Sequence, residues 1–453
     1  MFALFTVFLF SCDDAINVAA GDEIVDENAI TNAKDVESAT IGAYAAVGGG
    51  NSFQWNSAFT DEVNVALSNN GQGVQVHNWS INSGTDEVGA IYNGLFLPIS
   101  RTNRVLTAMD KVVAANPSEQ IKLDRSRGEL LFIRALSHFD LLRFFAPSFT
   151  DLNAPGIPYV DYVVVLQKPA RNTVGEVYTK LDADLTAALS LLPDDYTDNT
   201  KATKDAVRAL QARIALYKGD YETAITLASG FINNTAKYKL ATTAEFPSIW
   251  TDGYQGENIF RLKRVTGDGA IGAIYMDNSQ TVYFNPSEKL VNLYAPTDVR
   301  LNTYLSGDRS TVIKYPGVAG NFGLNDIKLF RLAEMYLIRA EAYAKTSQFG
   351  LASNDYNKLR LTRQPSGFTA VTFTNTTDAV NQILEESFRE FAFEGFRFFD
   401  LKRNGRALVR NANDCATQTN NICSLEAGDY RFALPFPSAT LFVNKNIVQN
   451  PGY

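Results

Sequence analysis

Two histidines (His77 and His138) and three cysteines (Cys12, Cys415 and Cys423) are the only imidazole and thiol donors in 453 residues. That is too few for a zinc centre of the Cys/His kind, and no metal or other cofactor is expected. Basic charge is not in excess: 41 Lys+Arg face 49 Asp+Glu, a formal −8. The chain therefore has no sequence-wide positive footprint for phosphates, and nucleic acid is not an expected partner. Long apolar runs are missing as well. The run Met1–Phe10 (MFALFTVFLF) falls well short of the roughly 20 residues that a membrane-spanning helix needs. No G-x-S-x-G or H-E-x-x-H motif occurs, which counts against several hydrolase classes and leaves a two-carboxylate enzyme open. What is present is ordinary for a globular chain, 45% hydrophobic and 20% charged, so disordered, collagen-like and multi-spanning classes are excluded. The 20 Tyr and 30 Phe suit either an aromatic core or a surface that stacks on flat ligands.

The short apolar run reads as the core of a signal peptide (residues 1–11). Leu9-Phe10-Ser11-Cys12-Asp13-Asp14 resembles a bacterial lipobox, in which Cys12 carries lipid after cleavage and residues 12–25 form the anchored linker. Acyl chains contribute roughly 0.8 kcal/mol per buried methylene, enough for several on one cysteine to hold a soluble body on a membrane. The acidic pair after Cys12 resembles a surface-export signal of Bacteroidetes lipoproteins. Cys415 and Cys423 stand in a polar loop without periodicity, and either close a small disulfide loop or remain two thiols.

Apolar spacing predicts helices over Asp26–Val47, over Ile91–Ala115 with a kink or fresh start near Pro98, and from Ser118 to Ala146. The last is apolar around most of its circumference, so Arg134 on it needs an acid from another helix, or carbonyls, and His138 reads as a satisfied core residue. Thr173–Leu192 is again amphipathic. Ala202–Asn233 gives two helices separated by Lys218-Gly219-Asp220, with Ala209, Ala212, Ala215, Ala224 and Ala228 allowing close approach. This matches a tetratricopeptide hairpin, with Gly219 as the left-handed cap. A second such unit is expected at Lys328–Arg360. Between them, Glu245–Pro316 is rich in Gly, Asn, Asp, Tyr and Thr, with short strands expected at Glu257–Arg264 and Thr281–Phe284.

Four stretches, Glu129–Arg143, Pro169–Tyr178, Ala202–Arg213 and Glu385–Arg403, together with the endings Leu434–Pro437 and Asn446–Tyr453, resemble the SusD/RagB family of Bacteroidetes outer-membrane nutrient-binding lipoproteins. The resemblance implies a mainly α fold, with tetratricopeptide-like hairpins as scaffold and an irregular, loop-rich second lobe carrying short strands. It divides the chain into an N-terminal helical region (26–240), an irregular insertion contributing to the ligand site (241–325) and a C-terminal region (326–453). It also implies a surface-exposed lipoprotein of the outer membrane that captures oligosaccharides, or peptides in RagB-type members, for a SusC-type TonB-dependent transporter. Such proteins bind and do not catalyse.

Glu385–Arg403 crowds Glu386, Arg389, Glu390, Glu394, Arg397, Asp400 and Arg403 onto what reads as one helix. Their i,i+3 and i,i+4 spacings suit a ladder of structural pairs more than an active site. The family's ligand sites use aromatic platforms, and the corresponding regions are Phe53–Trp79 and Ile249–Phe284. Trp55, Trp79, Trp250, Tyr254, Tyr275 and Tyr283 are the candidate rings, each with a core role as the alternative. His77 and Asn78 beside Trp79, and Asp61 and Glu62, are candidate hydrogen-bonding groups. A surface glycoside hydrolase and a pure tetratricopeptide scaffold are the rival readings; a scaffold has no use for the long Tyr- and Asn-rich insertion.

Overall fold

The structure, a computed structural model, describes residues 30–318, 320–415 and 422–453. The signal-peptide and Cys12 readings lie outside the described residues. The first described helix, Ala33–Ala46, starts where the Asn32 side chain accepts from the amides of Lys34 and Asp35. Asp86–Met109 is one helix with Pro98 inside it, so the fresh start that was the alternative to a kink near Pro98 does not occur. Proline in a helix interior costs about 3 kcal/mol. Burial of Val88, Ile91, Leu95, Ile99 and Val105 along one face contributes roughly 1.5–3 kcal/mol per side chain and outweighs it.

Pro117–Phe145 is capped by Asn116 and is buried on nearly all sides after Gly128. Its Arg134 guanidinium forms a bidentate pair with Asp184 (2.6 and 2.7 Å) on the Val174–Leu191 helix, as a buried charge requires. His138 is buried in the core: its Nδ1 stands 2.9 Å from the Arg134 carbonyl, and its Nε2 accepts from the Val160 amide at 2.9 Å.

Lys204–Lys218 and Tyr221–Ile232 form the expected hairpin, Gly219 at φ +81° ending the first helix and the five alanines buried between neighbours. Leu332–Lys345 packs on Tyr221–Ile232, pairs with Phe349–Arg363, and is followed by Thr376–Glu390. The second unit begins differently from expectation. Ile327–Arg331 is a strand, antiparallel to Asn258–Leu262 with Leu262 opposite Ile327. Strands are otherwise short two-stranded ribbons among the described residues, Val63–Val65 with Phe284–Pro286 being one. Cys415 and Cys423 are joined in a disulfide. No helix among the described residues is long and apolar enough to cross a membrane.

Glu385–Arg403 is not one helix. Thr376–Glu390 ends, the chain turns through Phe393 (φ +66°) and Gly395 (φ +80°), and a new helix covers Arg397–Arg403. Gly395 is required there twice over, by its left-handed backbone and because a Cβ would stand 2.9 Å from the Phe53 ring.

Candidate functional site

Most of the aromatic candidates are core. Trp55, on the Gly50–Phe59 helix, is buried and stacked on Phe59. Trp79 is buried with its indole N–H donated to the Phe59 carbonyl at 2.7 Å, and its ring lies 4.2 Å from the Arg410 guanidinium. Trp250 is enclosed by Lys314, Tyr304 and Tyr315. Tyr275 is buried with its hydroxyl 2.9 Å from Ser57 Oγ. His77 and Asn78 are buried too, His77 Nδ1 standing 3.2 Å from the Ala58 carbonyl. A buried ring offers no face to a ligand, so the reading of Trp55, Trp79 and Tyr275 as platforms is corrected.

For Trp79 and His77 a distant side chain contributes. Arg410 is buried and donates to the carbonyls of Ala58, Phe59, Thr60 and His77, which folds the segment after the Gly50–Phe59 helix inward. Burial also dominates the imidazole of His77 and holds its pKa down at about 3, so it stays neutral. Asp61 is buried against Arg397 and Lys289, whose charges outweigh the cost of burial and keep its carboxyl well below the usual range. Glu62, buried and bonded by Ser57 Oγ and the Phe393 amide, is pushed up to about 7 by that burial.

Tyr283 is different. The ribbon of Val63–Val65 with Phe284–Pro286 sets the loop after Val65 beside residues 276–283. There Ser68 Oγ donates to the Val282 carbonyl (2.6 Å), and Asn69 Nδ2 donates to that of Tyr283 (2.8 Å). The Tyr283 ring is half-exposed and its hydroxyl donates to Asp277 Oδ2 at 3.1 Å. Asp277 in turn lines an open cleft of about 410 Å³ with Asp268, Asn278, Ser279, Asn321 and Phe322. Tyr254, the remaining candidate ring, is half-buried with its hydroxyl on the Lys239 carbonyl.

The wall of the cleft depends on two glycines. The Gly272 amide bonds the Gly323 carbonyl at 2.9 Å, and a Cβ on Gly272 would stand 2.6 Å from Gly323 Cα, while Gly323 sits at φ +68°. Only side-chain-free residues let the 271–274 and 317–324 segments touch. The Asp277 carboxyl is held below the usual range, chiefly by the Thr281 amide and further by the Tyr283 hydroxyl. It is thus an anionic acceptor at neutral pH, with Asp268 as a second acid and no Lys or Arg in the lining. Acceptor oxygens and amides beside the half-exposed Phe322 ring, with Tyr283 bonded to Asp277 at the edge, in a volume within the usual range for ligand clefts, suit a neutral polyhydroxylated ligand.

The acids of 385–403 serve no such site. Glu386–Arg389 and Asp400–Arg403 pair within their helices as expected. Glu394 instead meets Arg331 and Lys314 (both 2.7 Å), and Arg397 meets Asp61 (2.8 Å). Burial would raise the Glu390 carboxyl, yet the guanidiniums of Arg363, Arg331 and Arg300 hold it far below its ordinary value. Carboxylates sealed against arginines cannot flank a scissile bond.

Comparison with known proteins agrees with this architecture. Residues 21–216 match a SusD-like family model described as starch-binding and associating with the outer membrane, and residues 278–453 match that of the SusD family. SusD-like protein P2 of Formosa agariphila is 24% identical over all of this chain and 99% of its own. The starch-binding protein SusD of Bacteroides thetaiotaomicron is 35% identical over 128 residues, 28% of this chain and 22% of that one. A solved SusD superfamily protein of Bacteroides thetaiotaomicron superposes with a TM-score of 0.83 at 26% identity, over 93% of this chain and 100% of the other.

Proposed function

The chain belongs to the SusD/RagB family, and from that premise we propose that it captures oligosaccharides at the cell surface and delivers them to a SusC-type TonB-dependent transporter of the outer membrane. Cys12 carries the lipid that tethers it, and the insertion 241–325 supplies most of the ligand site. The observation that carries this reading is the cleft of Asp268, Asp277, Asn278, Asn321 and the half-exposed Phe322 ring, with no cation in its lining and with the Tyr283 hydroxyl bonded to Asp277 at its edge. The family description as starch-binding, and the starch-binding name of the partly matching relative, support a glycan as the ligand. Binding without chemistry agrees with the acids of 385–403 being committed to arginines.

Titration calorimetry of the Cys12→Ala chain against the best binder from a neutral glycan array tests the site. Tyr283→Ala is expected to weaken binding at least tenfold, about 1.4 kcal/mol, with little dependence on salt. Affinity that survives Tyr283→Ala and Phe322→Ala together removes the cleft as the site. Binding of a cationic peptide that collapses with added salt would favour peptide capture, since the lining acids would attract it.

A further inference from the structure

Two segments far apart in sequence, Tyr162–Arg171 (YVVVLQKPAR) and Ser438–Val448 (SATLFVNKNIV), contain no Asp or Glu although the chain as a whole is formally −8. They carry Lys168, Arg171 and Lys445. The structure laces them into one face: Asn446 Nδ2 donates to the Lys168 carbonyl (2.7 Å), Asn444 Nδ2 to that of Pro169 (2.8 Å), and the Arg171 guanidinium to that of Val448 (3.0 Å). Val164 and Val443 border the same hollow of about 440 Å³, which has no Asp, Glu, Lys, Arg or His in its lining.

Four apolar side chains stand out from this face into solvent: Val165 (74% exposed), Leu166 (87%), Phe442 (79%) and Val448 (73%). Single exposed apolar residues need no explanation, but a group of four on one laced surface does. Lys168, Arg171 and Lys445 among projecting aliphatic and aromatic groups, with the bordering Asp161 paired to Lys180, are the pattern of a surface that lies in the boundary of an anionic bilayer. There the apolar tips enter the acyl layer and the cations meet headgroup phosphates. Val165, Leu166, Phe442 and Val448 stand outside that hollow, and projecting groups of this kind insert into a deformable lipid surface. The matched family is also described as associating with the outer membrane.

We infer that the face formed by residues 162–171 and 438–448 rests on an anionic lipid surface, giving the body a second, reversible membrane contact independent of Cys12.

The test uses the full chain with Cys12→Ala and vesicles of phosphatidylglycerol and phosphatidylcholine in equal parts. Phe442→Trp adds an exposed indole to a chain whose Trp55, Trp79 and Trp250 are all buried, so its emission reports contact at this face alone. The expected result is a blue shift at low salt. Lys168→Gln with Lys445→Gln should weaken partitioning at least tenfold, since each cation near an anionic surface is worth about fivefold. Leu166→Ser and Val165→Ser, made separately, should each weaken it severalfold while leaving the melting temperature unchanged. No shift with the mixed vesicles overturns the inference, as does an equal shift with pure phosphatidylcholine or one indifferent to the lysines. Capture of an outer-membrane protein through this face in the absence of any vesicle shift would also overturn it.

Discussion

Trp79 shows how far residue type and residue role can part. Flanked by His77 and Asn78, it has the chemistry of a sugar platform in three consecutive positions, yet its indole is buried between the Phe59 carbonyl and the Arg410 guanidinium. Trp79→Ala is therefore expected to cost about 3–5 kcal/mol of stability, as large-to-small changes in a core do, and to leave the glycan affinity of the folded fraction nearly unchanged. Denaturant melts read beside calorimetry decide this. A stable variant that has lost its ligand would return Trp79 to the site. Tyr283→Ala should behave in the opposite way, because its ring, though packed against the core on one side, is half-exposed and its hydroxyl reaches Asp277.

At the scale of an element, Thr376–Glu390 illustrates why charge spacing along a helix misleads. Pairs at i,i+4 contribute a few tenths of a kcal/mol at a surface. Glu390 is fully buried, and its partners Arg300, Arg331 and Arg363 come from three other elements. Removing one member of such a set strands buried guanidiniums, so Glu390→Gln is expected to cost about 3–5 kcal/mol in a urea melt. A loss below about 1 kcal/mol would mean that the network is solvated and peripheral. The same network joins the strand ending at Arg331, the helix Val299–Tyr304 and the helix Phe349–Arg363, which makes it the hub between irregular lobe and helical scaffold.

For the whole molecule, buried titratable groups set the pH profile. Burial lowers His77 and His138 from 6.5 to about 3, so the stability they contribute is complete above pH 6.5 and is lost as pH falls towards 3. His138 has a structural reason as well: protonating Nε2 would cost it the Val160 amide. Burial raises Glu62 and Glu129 from 4.5 to about 7, so their contribution is complete below pH 4.5 and lost as pH rises through 7. The two trends oppose each other between about pH 4.5 and 6.5; below that the histidine loss continues and is joined by that of Asp61 and Glu390, whose carboxyls are held far below their ordinary values. Chemical-denaturation free energies should be nearly flat from pH 6.5 to 4.5 and then fall, with each histidine contributing roughly 2 kcal/mol of the fall between pH 4.5 and 3. A steep fall that already begins at pH 6.5 would contradict the glutamate assignments.

Local physics fixes what repeats along the chain. Helical periodicity and the alanines and Gly219 of the hairpin need only neighbours in sequence to be read; the hairpin helices form within a residue or two of expectation, while the helix expected over Ile91–Ala115 starts and ends five or six residues earlier. An apolar circumference likewise demanded an acid or carbonyls for Arg134, and the structure supplies Asp184. Exposure is another matter, because it depends on what covers a residue. Arg410 reaches the His77 carbonyl across 333 residues, and the Phe393 amide reaches Glu62 across 331. No periodicity records such contacts, so the tryptophans could not be sorted into core and platform from their neighbours. The cleft at Tyr283 exists only because Gly272 and Gly323 let two loops touch, and the lipid-facing surface only because two acid-free segments are laced together by asparagines. Secondary structure follows from short-range spacing; which side chains remain open to a ligand follows from close packing between distant segments, and only the tertiary structure decides it.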